Sequence, residues 1–233
     1  MAAPTVATSF GVLVTGFKRS GTSLMMELLR RAGFAPHFSA DFEQYLVHTY
    51  AAQNEYFYED SAIVHGGTAL CDARLAELAK QHQAVKVFAY GVNDAVCRAA
   101  AAGTIRVVMM RRNKGAIKKS IAAYKGDADG EVTGGAASAD QGGARAVASQ
   151  GRHRSAADDF AELEALDLDA LGVQLGALEV KFEELLSEPK RTIERLLAFL
   201  SVPHGVAGNA ILHDASPLVE LLMEAVQPAK RHH

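Results

Sequence analysis

The chain has 233 residues, of which 49% are hydrophobic and 22% charged, and its net charge is -3. This is the composition of an ordinary globular α/β domain, without the basic excess of a nucleic-acid binder. No run approaches the ~18 apolar residues that a bilayer-spanning helix needs, so neither a nucleic-acid nor a membrane partner is expected.

The predicted elements alternate. Residues 9–15 (SFGVLVT) form an apolar, β-branched run ending at Gly16, which reads as a buried strand. After the turn GFKRSGTS, Leu24, Met25, Leu28 and Leu29 recur at helical spacing, and Gly33 supplies the C-terminal stop. Residues 41–52 read as a helix, 54–67 as an irregular aromatic stretch, and 71–82 as a helix. Strands follow at 84–89 (AVKVFA) and 104–110 (TIRVVMM), separated by a helix over 93–101, and the second strand runs into a turn and a further helix. Residues 126–157 are rich in Gly, Ala, Ser and charge, too poor in apolar surface to offset ordering entropy. Disorder is expected there, with a substrate lid as the alternative. One helix over 158–172, a strand at 177–182, a helix over 187–200 and a last helix at 217–226 complete the pattern. The expected fold is a single three-layer α/β domain over 1–233, with a mostly parallel central sheet, helices on both faces and a P-loop-like start.

Cys71 and Cys97 lie in no CxxC pair and read as reduced thiols. The leading MAAPTVATSF has no basic n-region, so no signal peptide is expected and the location reads as cytoplasmic.

The turn Gly16-Phe17-Lys18-Arg19-Ser20-Gly21-Thr22-Ser23 carries the chemistry. A glycine turn that opens a helix is an anion site, because free backbone N–H groups and the helix dipole point outward there. The two glycines have the spacing of the nucleoside-triphosphate loop GxxxxGK[ST], but Thr22 stands where that loop has its lysine. The cations Lys18 and Arg19 lie inside the loop instead, which suits a shorter anion chain.

Arg19-Ser20-Gly21-Thr22 resembles the [K/R]-S-G-T loop of the sulfotransferases that use 3'-phosphoadenosine-5'-phosphosulfate (PAPS). A second match is the strand IRVVMM, then Arg111, Arg112 and Asn113, with Ser120 eight positions after Arg112; Arg111 is a competing choice at the strand end. In the family, an Arg and Ser so placed hold the 3'-phosphate. A third match, Phe182-Glu183-Glu184-Leu185 with Glu188-Pro189, is structural in that family. The resemblance implies that Lys18, Arg19, Ser20, Gly21, Thr22, Ser23, Arg112 and Ser120 bind PAPS and its product 3'-phosphoadenosine-5'-phosphate (PAP); no metal is expected, because a sulfuryl group carries less charge than a phosphoryl group. It implies transfer of the sulfuryl group to a hydroxyl or amine of a small-molecule or glycan acceptor, with homodimer formation left open. Two family features are missing. The strand motif Lys-x-His reads Lys86-Val87-Phe88 here, and no late Gly/Lys-rich motif occurs in 203–233.

Sulfuryl transfer shares the physics of phosphoryl transfer, with a loose, in-line transition state stabilised by cations aimed at the leaving group. Arg19, Lys18 and Lys86 are the candidates. With no His at the strand position, a carboxylate is the expected base: Glu43 first, with Asp41, Glu59, His48 and His65 as rivals. Tyr45, Tyr50, Tyr56, Phe57 and Tyr58 either line the acceptor pocket or roof the core. Two other functions fit part of the pattern. A P-loop small-molecule kinase would need the lysine that Thr22 replaces, and a non-catalytic nucleotide-binding module would bind PAP without transferring anything.

Overall fold

The computed structural model describes residues 10–50, 56–64, 70–129, 155–200 and 218–220. The helices are α1 (Thr22–Arg31), α2 (Ala40–Tyr50), α3 (Asp72–Lys80), α4 (Asp94–Ala101), α5 (Lys114–Asp129), α6 (Ala156–Ala165), α7 (Leu168–Leu175), α8 (Phe182–Ser187) and α9 (Pro189–Leu200). The strands are β1 (Gly11–Gly16), β2 (Ala35–His37), β3 (Gln83–Lys86), β4 (Ile105–Arg111) and β5 (Leu178–Lys181). They pair in the order β2-β3-β1-β4-β5, and every pairing is parallel.

The central position of β1 follows from its composition. All six of its residues are buried, as a strand covered on both faces requires. Val12 and Val14 face one layer, with Met25, Leu28 and Leu29 of α1 and Ile193, Leu196 and Leu200 of α9. Leu13 faces the other, with Leu75 and Leu78 of α3, Val96 of α4 and Leu175 of α7. Side chains alternate across a strand, so one β-branched run serves two cores. The result is the three-layer α/β sandwich expected from the sequence.

The order of strands also places a crevice. From β1 the chain passes through α1 to the far edge at β2 and returns to β3, then crosses to β4 on the other flank of β1. The loops leaving β1 and β4 therefore diverge at neighbouring carboxyl ends. Such a switch point opens the ligand crevice of doubly wound sheets.

Several boundaries differ from the sequence expectation. β2 was not foreseen: its three residues Ala-Pro-His carry no β-branched signal, and Pro36 is tolerated because β2 is an edge strand. β3 ends at Lys86, and residues 89–91 wind into a 3-10 turn rather than extending the strand. The single helix expected at 158–172 is two, because the Asp167 carboxylate accepts a hydrogen bond from the Ala170 N–H and starts α7 afresh. α8 is an additional short helix ahead of α9.

The segment read as disordered is helical at both described ends. α5 continues to Asp129, and Ser155 and Asp158 form a reciprocal capping box that starts α6. The rest of that segment, and all but 218–220 of the helix expected at 217–226, lie outside the described residues. Among the described residues, no helix is long and apolar enough to cross a membrane.

Candidate functional site

The loop from Gly16 to Ser23 crosses the carboxyl end of β1 and opens α1. Its path depends on two glycines. A Cβ on Gly16 would lie 2.5 Å from the Met110 carbonyl oxygen, and one on Gly21 would lie 2.6 Å from Phe182 Cδ2. Both also have φ in the left-handed region, +146° and +98°, where side chains are strained. Between them Arg19 takes φ 67°, a left-handed conformation for a residue with a Cβ. Strain of this kind concentrates at functional loops.

α1 begins at Gly21 with no side-chain cap and no acidic residue in its first turn. Asn93, Ser155 and Asp167 cap α4, α6 and α7, whereas α3 and α8 share with α1 the lack of a side-chain cap. The first N–H groups of α1 thus lack an intrahelical partner, with the positive end of the dipole behind them. Beside them, the Ser20 hydroxyl is buried without a hydrogen-bond partner. An uncapped helix start and an unsatisfied buried hydroxyl are what an anion would complete.

The two stretches singled out in the sequence meet here. Arg19 Nε donates to Ser120 Oγ at 3.0 Å. Arg112 Nη1 donates to the Arg19 carbonyl at 3.0 Å, and its guanidinium lies 4.6 Å from the centre of the Phe182 ring. Arg112 Nε is buried and has no partner. Arg19, Arg112 and Ser120 thus gather between the ends of β1 and β4, at the switch point. Phe182, read only as structural in the sequence, is the platform that orients Arg112.

Lys18 points elsewhere. Its Nζ pairs with Asp159 of α6, a residue with 0% exposure, while Phe17 packs with Ile117, Ile121 and Leu163. Asp159 was missed because no local pattern ties α6 to a loop 141 positions earlier.

On the other side of α1, Lys86 is 2% exposed. It donates to Ser23 Oγ at 3.2 Å, the Phe57 carbonyl at 2.6 Å and Glu59 Oε1 at 2.6 Å. Glu43 is buried, and its two oxygens accept from the backbone N–H groups of Phe57 and Glu59. Both side chains grip the 57–59 stretch. Lys86 reaches the loop through Ser23, and Glu59 is its carboxylate partner. Asp41 and His48 are exposed, and His65 lies outside the described residues.

The aromatic stretch divides. Phe57 and Tyr58 are buried, and Tyr56 is 53% exposed and stacks on Tyr58. Tyr45 stacks on Phe42 at the edge of α2, and the Tyr50 side chain lies outside the described residues. Tyr58 donates to Glu27 of α1. Hydrogen bonds from Arg30 above all, with Tyr58 and Arg31 helping, hold the Glu27 carboxyl down to about 2. Burial, then Glu27, pushes the Tyr58 hydroxyl well above its ordinary value, so the 57–59 stretch stays fastened to α1 through neutral pH.

His37, at the carboxyl end of β2, lies 3.0 Å from Asp60 Oδ2 and 2.8 Å from Arg74 Nη2. Burial, and then the Arg74 charge, lower its pKa below 6.5 despite Asp60. The native state therefore binds this proton less readily than the unfolded chain, so stability is lost as pH falls below about 6.5. One such proton contributes at most about 1.4 kcal/mol per pH unit. In urea titrations from pH 7.5 to 5.5, His37→Gln should flatten the decline in midpoint. An identical decline in the variant would assign it to other groups.

No protein-family model matches the chain, and no curated protein matches it either. The functional reading therefore rests on the site itself.

Proposed function

We propose that the chain is a PAPS-dependent sulfotransferase that moves a sulfuryl group to a hydroxyl or amine of a small-molecule or glycan acceptor. One observation carries the reading: Arg19 of the glycine loop and Ser120 of the second motif, 101 positions apart, are joined at 3.0 Å. The buried, unpartnered Ser20 Oγ and Arg112 Nε beside them are polar atoms that a phosphorylated ligand would satisfy.

When bound, PAPS supplies a sulfuryl group already activated by a phosphate leaving group. The residues around the loop perform the rest. The α1 N–H groups and Arg19 receive the 5'-terminal anion and counter charge growing on the leaving oxygen. Arg112 offers a planar fork for the 3'-phosphate, held flat by Phe182, and Ser120 donates beside it. Lys86 acts through Ser23, keeping the first turn of α1 in place. Glu59 is better placed than Glu43 to take the acceptor proton, because both Glu43 oxygens are occupied by backbone N–H groups. No metal is called for, and a cytoplasmic location goes with this reading.

A second reading has an observation in its favour. Glu43 and Lys86, both nominated for catalysis, are occupied in holding the 57–59 stretch. A nucleotide-binding module without transfer activity would have that arrangement. The kinase reading fares worse, since Thr22, at the place of the lysine, is 4% exposed as the first residue of α1.

Calorimetric titration with PAP in metal-free buffer tests the proposal. Micromolar binding, at least about tenfold tighter than ATP, is expected, a gap of ~1.4 kcal/mol. Equal affinity for ATP, or no PAP binding, would sink it. PAP binding without transfer from PAPS to any of a panel of alcohol, phenol, amine and sugar acceptors would favour the binding module.

A further inference from the structure

The loop carries two adjacent cations, and the fold sends them in opposite directions. Arg19 turns into the crevice toward Ser120. Lys18 turns away and pairs with Asp159 of α6, whose carboxylate is fully buried. The Lys18 side chain keeps 23% exposure, so its ammonium sits at the margin of solvent. α6 is in turn fastened to α5: Glu164 accepts from Lys114 at 2.9 Å and pairs with Lys118 at 2.8 Å. Phe17 is buried in the same α5–α6 cluster. The position of Lys18 is therefore set by a helix belonging to another part of the chain.

We infer that Asp159 is a specificity-determining counter-charge: by holding Lys18 on α6 it leaves the phosphate loop with one forward-facing cation and so disfavours polyphosphate ligands. The charge arithmetic is direct. Two loop cations suit the short anion chain expected from the sequence only when one of them is withheld: presented together, they favour a pyrophosphate or triphosphate chain over a single phosphate or sulfate, because each added negative charge gains a partner. A loop that presents Arg19 alone loses most of that preference. Thr22 removes the usual polyphosphate lysine from one end of the loop, and Asp159 neutralises the cation that remains to spare. A buried carboxylate is costly unless paired, so the pair also keeps α6 seated against the loop. Asp159 is a positioning residue, acting through Lys18 and touching no ligand.

The inference rests on the loop being an anion site, as proposed above, but not on which nucleotide fills it. Its probes are inorganic pyrophosphate and sulfate, measured by calorimetry on the full chain. Asp159→Asn keeps the side-chain shape and removes the charge. It should bind pyrophosphate about tenfold more tightly than the parent and gain distinctly less for sulfate, an effect that shrinks with added salt. Adding Lys18→Met to Asp159→Asn should erase the gain. A purely structural role predicts the reverse, with a lower unfolding midpoint and weaker binding of both anions. Unchanged or weaker pyrophosphate binding in folded Asp159→Asn would overturn the inference, as would a gain that persists without Lys18.

A second measurement needs no variant of Asp159. In side-chain NMR of the parent protein, the Lys18 ammonium signal should stay in place as pyrophosphate is added while the Arg19 Nε signal moves. Movement of Lys18 would overturn the inference. Failure of the underlying reading has its own signature: Arg19→Ala would then bind pyrophosphate as the parent does.

Discussion

Replacing Arg19 by alanine is expected to weaken PAP binding by about 10- to 100-fold, the equivalent of a lost charged hydrogen bond of roughly 1.5–3 kcal/mol. On the proposed sulfotransferase function, the transfer rate should fall further, by about 10²–10³-fold, because a fixed cation aimed at developing charge is worth more in the transition state than in the ground state. The argument rests on where the side chain lies. Its Nε is already in hydrogen-bond contact with Ser120, so the guanidinium is held before any ligand arrives. Arg112 fixes the Arg19 carbonyl from behind, and the left-handed backbone at Arg19 keeps the side chain turned into the crevice. Little reorganisation is then left for binding. Arg19→Lys should retain part of the effect, since it keeps the charge and loses the fork. Arg191→Ala, an exposed change on α9 with its side chain 83% accessible, is the control. Loss of binding in Arg191→Ala as large as in Arg19→Ala would detach the effect from the loop.

The largest effect on stability is expected at Gly16. An alanine there places Cβ 2.5 Å from the Met110 carbonyl oxygen, at φ +146°. The obstacle is backbone, not a side chain that can swing away. It belongs to β4, whose Met110 is the register partner of Gly16. Relief would require β1 to separate from β4 at the centre of the sheet. Overpacking costs about 1–3 kcal/mol, and left-handed strain adds about 1–2. Together they predict a loss of roughly 2–5 kcal/mol, which for a chain of this size lowers Tm by about 4–20 °C. Gly103→Ala separates the two terms: its φ is +70°, but nothing lies within 4 Å of the new Cβ. It should cost about 1–2 kcal/mol, the strain alone. Thermal unfolding of both variants decides the matter, and equal losses would show that the Met110 contact contributes nothing.

The parts of the fold legible in the sequence were those whose signal is local. SFGVLVT and TIRVVMM are continuous apolar runs, which only a strand covered on both faces would carry, and they are the paired centre of the sheet. The glycine loop was legible for a related reason: positions that must be glycine announce a backbone no other residue adopts easily. Where the signal was weak, the reading failed. β2 has three residues and a proline. The break between α6 and α7 turns on the single cap Asp167.

For the site, the sequence nominated the glycine loop and Arg112 with Ser120, because each motif is a short string of residue types at close spacing. It could not say how those residues divide their work. Lys18 and Arg19 are neighbours of like charge, yet one meets Ser120 and the other Asp159, and both partners lie more than 100 positions away. Glu43 had the residue type of a base, but burial and two backbone N–H groups tie it to the 57–59 stretch. The physical reason is common to these cases. A strand or a loop is specified by propensity and sterics within a few residues, so sequence determines it. The role of a charge depends on which groups share its low-dielectric surroundings, and only the packing of distant elements decides that.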